Sequence, residues 1–359
     1  MNQRVLFLLV LALPLAAQLP PACSPYGDKC LYTPAAVRFG SSSIEFSYQD
    51  AAGLPRAVPV QVRMPASNQP GSAALPVMVW SDDAPGEWSD ITAAAGYLTV
   101  TVGYTPRDES QQTAICTALK VPDGFCKPED VASWDRANDL SRAVAALEAY
   151  NASGPAEIRG RIDLARVAVG GFAEGGSAAL SIAGARRLLQ PSAKRTAPDM
   201  FNSSRPVAFV ILSPPTPANE GFYDTNVGDP THSWTDIKRP VLTITGTGDN
   251  NCLMRGECIS GHMSSMRSIM HALIPAGDKY TLVFNTLDLD HDFIGSLDTA
   301  ACREKGVAAT RCGDQAAWMR ASVLGFLDAK VRAVASAATW LDNGLIRPAS
   351  SNIVQFKKK

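Results

Sequence analysis

Three widely separated stretches of this chain have the residue types and order of a nucleophile–acid–base triad with one member absent. Arg166-Val-Ala-Val-Gly-Gly-Phe-Ala173-Glu-Gly-Gly-Ser-Ala-Ala-Leu180 joins a short β-branched run to a helical pattern through a glycine-rich turn. That is the strand–turn–helix setting of a nucleophile elbow, Gly-x-Ser-x-Gly, and here it reads Gly171-Phe172-Ala173-Glu174-Gly175. Further on, Asp249 closes Gly246-Thr-Gly-Asp249, and His291 stands in Asp288-Leu-Asp-His291-Asp-Phe. Elbow, then carboxylate, then histidine is one of the chain orders in which such triads occur. The histidine takes the nucleophile's proton, and a buried carboxylate orients the ring and stabilises its cation. His291 fits the base and Asp249 the orienter. Ala173 puts a methyl group at the nucleophile position, and a methyl group can neither attack a carbonyl nor carry an acyl group.

Each residue also has a plainer reading. Asp249 fits an ordinary turn in Gly-x-Gly-Asp, and a histidine near a strand end is often structural. Asp288, Asp290 and Asp292 crowd His291, and any of them could partner the ring in place of Asp249. His232, His262 and His271 have no comparable context. Ser177 follows Ala173 by one helical turn, so its hydroxyl is expected to point along the helix, away from the base.

The elements around these residues must bring them together. Residues 33–50 and 56–65 alternate apolar and polar side chains, as an opening antiparallel pair does. Residues 75–80, 97–104, 207–212, 241–245 and 280–284 are compact apolar runs of the kind that form buried strands. Helical spacing marks 133–150, with Ser133 placed to cap it, then the elbow helix to about 190, then 263–273 and a closing helix over 315–334. Residues 105–132 read as a polar loop leading into the first of these helices. Strands alternating with helices predict an α/β fold, a mostly parallel central sheet with helices on both faces. Ligands of such sheets bind beyond the carboxyl ends of the strands. The loops after Trp80, Val169, Thr245 and Phe284 are therefore expected to converge on one pocket.

With 359 residues the chain is long enough to bury a large core, and its net charge of -1 gives no reason to expect nucleic acid or an anionic membrane as partner. Arg4 followed by the apolar run 5–17 reads as a secretory signal peptide over residues 1–17, and no later segment is apolar enough to span a membrane. The eight cysteines fall in sequence-local pairs, Cys23/Cys30, Cys116/Cys126, Cys252/Cys258 and Cys302/Cys312, without zinc-site spacing. Disulfides and a secreted or periplasmic location are expected, with no metal and no cofactor. Residues 18–50 form a cystine-bearing segment and first strand, 51–335 the main domain and 336–359 a C-terminal tail, in which Lys357-Lys358-Lys359 is a solvated end rather than a binding patch.

From Leu75 to Leu327 the chain resembles the α/β-hydrolase superfamily, in particular the group of predicted dienelactone hydrolases related to platelet-activating-factor acetylhydrolases and cutinase-like polyester hydrolases. The residues that carry the resemblance are Arg136-Ala-Asn-Asp139-Leu, Gly160-Arg-Ile-Asp163, the elbow, Ala183-Gly-Ala, Pro240 to Asp249, Gly277-Asp-Lys-Tyr and His291-Asp-Phe. It implies an α/β-hydrolase fold and metal-free cleavage of carboxylic esters through a serine acyl-enzyme. It also implies that the backbone N–H groups of Ala84 and Glu174 form the oxyanion hole. The chain departs from the group at two places. Ala173 replaces the serine, and Ser81-Asp82-Asp83-Ala84 stands where the group has Ser-His-Gly. An aspartate in place of that glycine restricts the backbone, and a carboxylate near a developing oxyanion opposes it. An engineered Ser→Ala trap would keep the second motif, so two independent losses favour a naturally degenerate hydrolase. The expectation is a secreted protein that is inactive or severely impaired as an esterase and keeps a pocket for a small-molecule ester or apolar ligand. The alternatives are an active esterase or lipase-like enzyme of which this is a nucleophile-inactivated variant, and a non-catalytic ligand-binding protein.

Overall fold

The structure, a computed structural model, describes residues 21–66, 73–81, 86–121, 126–186, 201–215, 233–249, 267–268 and 270–359. Their strands are β1 (Phe39–Gln49), β2 (Pro55–Pro65), β3 (Leu75–Ser81), β4 (Leu98–Val102), β5 (Ile162–Phe172), β6 (Ala208–Leu212), β7 (Val241–Gly246), β8 (Lys279–Phe284) and β9 (Val354–Lys358). They form one sheet in the order β1-β2-β4-β3-β5-β6-β7-β8-β9. The pairs from β4 through β3, β5, β6 and β7 to β8 are parallel. The β1–β2, β2–β4 and β8–β9 pairs at the two edges are antiparallel.

Apolar side chains on successive residues explain why the middle strands sit in the interior. Successive side chains of a strand point to opposite faces. Accordingly Met78, Trp80, Val210 and Leu212 join one core, and Val77, Val79, Phe209 and Ile211 join the other. Helices α1 (Glu87–Ala94) and α8 (Ala309–Lys330) cover the first face through Trp88, Met319, Phe326 and Leu327. Helices α3 (Pro128–Ser153) and α4 (Glu174–Ala183) cover the second through Trp134, Leu140, Val144, Leu180 and Ile182. The expected α/β class, mostly parallel with helices on both faces, is the one observed.

Several local expectations are corrected. Helix α3 begins at Pro128, not near Ser133, because proline is pre-set for a first helical turn and Glu129 and Asp130 suit the positive end of the helix dipole. The presumed polar loop holds α2 (Glu109–Ala118), nucleated by a reciprocal capping box between Asp108 and Gln111. Helix α4 stops at Ala183 rather than near 190, since Gly184 takes the left-handed conformation that ends it. Of the helix expected over 263–273, α5 (Met270–Leu273) is described. Short helices α6 (His291–Ser296) and α7 (Thr299–Glu304) precede α8, and the closing helix starts at Ala309 and ends at Lys330. The C-terminal stretch expected as a tail folds as α9 (Ala335–Asp342), α10 (Ile346–Ala349) and β9, whose Lys357 and Lys358 pair with Thr281 and Tyr280.

Cys23–Cys30, Cys116–Cys126 and Cys302–Cys312 are disulfides. The last two lie in connections that leave the carboxyl ends of β4 and β8, the end of the sheet that carries the elbow. Cys252 and Cys258 lie outside the described residues. Among the described residues no helix is long and apolar enough to cross a membrane.

Candidate active site

Strand β5 runs straight into α4 through Ala173, which has φ 49° and ψ -121°. A non-glycine residue with positive φ is uncommon and costs of order 1–3 kcal/mol, so the surroundings must impose it. They do so through two close approaches. A Cβ on Gly171 would lie 2.2 Å from the Gly175 carbonyl carbon, and one on Gly175 would lie 2.0 Å from the Ser81 carbonyl oxygen. Only glycines let the turn close this tightly and let α4 start against β3. The Ala173 amide donates to Leu212 O at 3.0 Å, tying the elbow to the end of β6.

Strands β7 and β8 deliver Asp249 and His291 from neighbouring positions. The loop after β7 lies against the loop after β8 through a bridge between Gly248 and Asp290. A Cβ on Gly248 would meet Leu287 O at 2.5 Å, which accounts for the second glycine of Gly-Thr-Gly-Asp. The contact sets Asp249 beside His291, whose Nδ1 is 3.0 Å from Asp249 Oδ1. Asp249 is completely buried and His291 is 8% exposed, so the carboxylate is sealed behind a ring that reaches the surface at its outer edge. The His291 ring lies 4.5 Å, centroid to centroid, from Phe172, the residue before Ala173. Asp249, His291 and the elbow thus share one corner of the carboxyl end of the sheet.

Burial alone would raise the pKa of Asp249. The hydrogen bond from His291, the Arg267 guanidinium and the Ser213 hydroxyl more than offset it, so the carboxyl group lies below its ordinary value. Arg267 Nε is 3.7 Å from Asp249 Oδ2 with both side chains buried. Burial in turn pulls Arg267 below the usual arginine value, opposed by the charges of Asp249 and Glu174. Thr245 Oγ1 donates to Asp249 Oδ2 at 2.7 Å.

The neighbouring aspartates have other partners. Asp288 pairs with Arg311 at 2.7 Å. Asp290 caps α6 by accepting from the Phe293 amide at 2.9 Å and also pairs with Lys305. Asp292 is exposed and 4.0 Å from Lys305. Asp249 is therefore the carboxylate on the ring. His271 bonds Thr281 Oγ1 at 2.9 Å beside β8, away from this corner. His232 and His262 lie outside the described residues, as do Ala84, Asp82 and Asp83. Glu174 is the first residue of α4, where a backbone N–H has no partner within its own helix. Ser177 is fully buried in α4, and its hydroxyl makes no hydrogen bond among the described residues. Among the described residues, no group of three or more His, Cys, Asp or Glu side chains could hold a metal ion.

Two residues of the site, Arg267 and Ser213, have no counterpart in the sequence reading. Ser213, directly after β6, places its hydroxyl 2.7 Å from both oxygens of Asp249 and 2.7 Å from His291 Nδ1. A serine at a strand end before two prolines carries no local signal for this role. Its proximity to the pair follows from β6, β7 and β8 being adjacent in the sheet.

No protein-family model matches the chain, and no curated protein matches it either.

Proposed function

We propose that this is a secreted or periplasmic α/β-hydrolase-fold protein of a carboxylic-ester hydrolase lineage, inactive or severely impaired because Ala173 occupies the nucleophile position. The observation that carries this is the Asp249–His291 pair at 3.0 Å, next to an elbow whose strained residue bears only a methyl group. A residue that must act as a nucleophile explains a strained turn, since the strain projects its side chain from a fixed point. The turn persists here with no hydroxyl on it.

In the intact reaction a serine hydroxyl at position 173 gives its proton to His291 as it attacks the ester carbonyl. Asp249 holds the resulting imidazolium. Removing a triad nucleophile lowers turnover by on the order of 10⁶-fold, and what remains comes from binding and the oxyanion site. The retained chemistry is a place for a small ester or apolar ligand beside a base with nothing to deprotonate. Disulfides joining three cysteine pairs agree with an oxidising compartment.

Hydrolysis of p-nitrophenyl acetate and butyrate tests the proposal. The chain as it stands is expected to give no turnover above a His291→Ala control, and Ala173→Ser is expected to give turnover that His291→Ala abolishes. Equal His291-dependent turnover with and without the serine would overturn it.

A further inference from the structure

We infer that Ser213 is a positioning residue for His291, a third group that shares the ring's Nδ1 proton with Asp249. The assignment rests on the hydrolase reading of the site for its purpose, but not for its geometry.

A hydroxyl has one proton to donate and two lone pairs to accept with. Every one of these is used at Ser213. Asp249 is ionised and accepts only, so the Ser213 proton goes to its carboxylate, whose two oxygens are each 2.7 Å away. The lone pairs then face Arg267 Nη1, which donates at 3.1 Å, and His291 Nδ1 at 2.7 Å. An acceptor on both the serine and the carboxylate side requires Nδ1 to carry a proton. The nitrogen left with a free lone pair is Nε2, which is the one a general base needs. The serine oxygen is nearer to Nδ1 than Asp249 Oδ1 is, 2.7 Å against 3.0 Å.

The backbone shows what holding the hydroxyl there requires. Ser213 has φ 42°, a backbone conformation that its own Cβ disfavours. It is pinned by its amide donating to Ile244 O at 2.8 Å. Arg267 Nη1 also donates to the carbonyls of Ser213 and Pro214 at 2.9 and 2.7 Å. A residue serving only to end β6 needs neither the strain nor the buried arginine.

Ser213 is not a replacement nucleophile. It is completely buried and sits on the same ring nitrogen as Asp249, so its proton has no route to Nε2.

The test follows the Nδ1 proton by ¹H–¹⁵N spectroscopy of the full chain with labelled histidine at pH 9. The unmodified protein is expected to show a slowly exchanging Nδ1 proton on His291. Ser213→Ala and Ser213→Gly are expected to speed its exchange with solvent at least tenfold, and so is Ser213→Cys, which fills the same space with a much weaker hydrogen-bonding group. Glycine also relieves the positive φ, so a fold lost to strain cannot account for its effect. Unchanged exchange in the alanine and glycine variants overturns the assignment, as does slow exchange kept by cysteine but lost with alanine, which marks a packing role. On the Ala173→Ser background, Ser213→Ala is expected to lower kcat about tenfold at unchanged KM. Should Ala173→Ser give no hydrolysis at all, the hydrolase reading fails, and the proton exchange still decides the role of Ser213.

Discussion

The ring of His291 packs 4.5 Å from that of Phe172, and Phe172 is covalently next to Ala173. His291 is therefore fixed to the elbow by a ring contact that does not depend on any hydroxyl at position 173. A Cβ on Gly295 would lie 2.7 Å from the Phe172 ring, so α6 is drawn close over it. A methyl group at position 173 leaves this assembly intact.

Ala173→Ser adds one oxygen to a residue that is 8% exposed and already in the strained conformation. Its expected effect is a gain of ester hydrolysis of at least about 10³-fold over the parent, a fraction of what a complete triad supplies. The expected change in unfolding free energy is below about 1 kcal/mol. Initial rates with p-nitrophenyl esters and a urea titration check both numbers. A stable but inactive serine variant would count against the hydrolase reading of the site.

Gly175→Ala is expected to be far more damaging than Ala173→Ser, although it adds only a methyl group. The new Cβ would be 2.0 Å from a main-chain oxygen of β3, which cannot move without shifting the sheet. A loss of at least about 3 kcal/mol is expected, measured as a fall in the urea midpoint at unchanged slope. A loss below 1 kcal/mol would show that α4 can slide away from β3.

Much of this architecture is legible in the sequence because it is local. The buried strands are short β-branched runs, and the elbow announces itself by glycines that the close approaches require. Acid and base could be assigned because each follows its own strand. Ser213 could not, because its role arises where three strand ends meet. The Asp108-Glu-Ser-Gln111 capping box and Pro128-Glu-Asp130 did carry start signals for α2 and α3, obscured by the surrounding polar composition. The Arg136-Ala-Asn-Asp139 motif, which carries part of the family resemblance, turns out to hold the frame. Asp139 accepts from Arg56 at 2.6 Å and from Tyr48 at 2.6 Å, and Asn138 donates to Tyr48 at 2.8 Å.

The same buried network predicts a pH-dependent defect. Arg107 donates to Asp50 at 2.7 Å and to both oxygens of Asp135 at 2.7 and 2.9 Å, joining the β1–β2 turn to α3. Burial raises the pKa of Asp135 even though Arg107 and Arg56 oppose it. For Asp50, burial is outweighed by Arg107 and the Leu54 and Ala52 amides, and the carboxyl group lies below its ordinary value. Arg107→Met removes the nearest cation from both carboxylates, leaving Asp135 with Arg56 at 3.5 Å and Asp50 with the Ala52 and Leu54 amides, at an expected cost of about 3 kcal/mol at pH 7. Asp135, already raised, then holds its proton still more tightly in the folded chain than in the unfolded one, so the variant's stability falls as pH rises through that raised pKa. The defect should shrink between pH 7 and pH 4.5. Urea titrations at the two pH values check this, and a defect of constant size would mean the arginine acts through packing alone.

Lys279 gives the opposite test at alkaline pH. Its ammonium group is enclosed where β8 begins, donating to Gly277 O at 2.5 Å and to Lys238 O at 3.2 Å. Burial lowers its pKa to about 8, Asp278 opposes the shift, and Lys359 and Lys238 add to it. An unfolded lysine titrates near 10.4. Between about 8 and 10.4 the unfolded chain keeps a proton that the folded chain has released. Stability therefore rises with pH across that window, and the cost of enclosing the charge is fully present below it. Lys279→Met carries no proton there, so subtracting its behaviour removes the titrations common to both proteins. The difference in Tm, parent minus variant, is expected to grow steadily from pH 8 to pH 10. A difference independent of pH over that range would show that the folded chain keeps Lys279 charged, with its two carbonyl acceptors outweighing its burial.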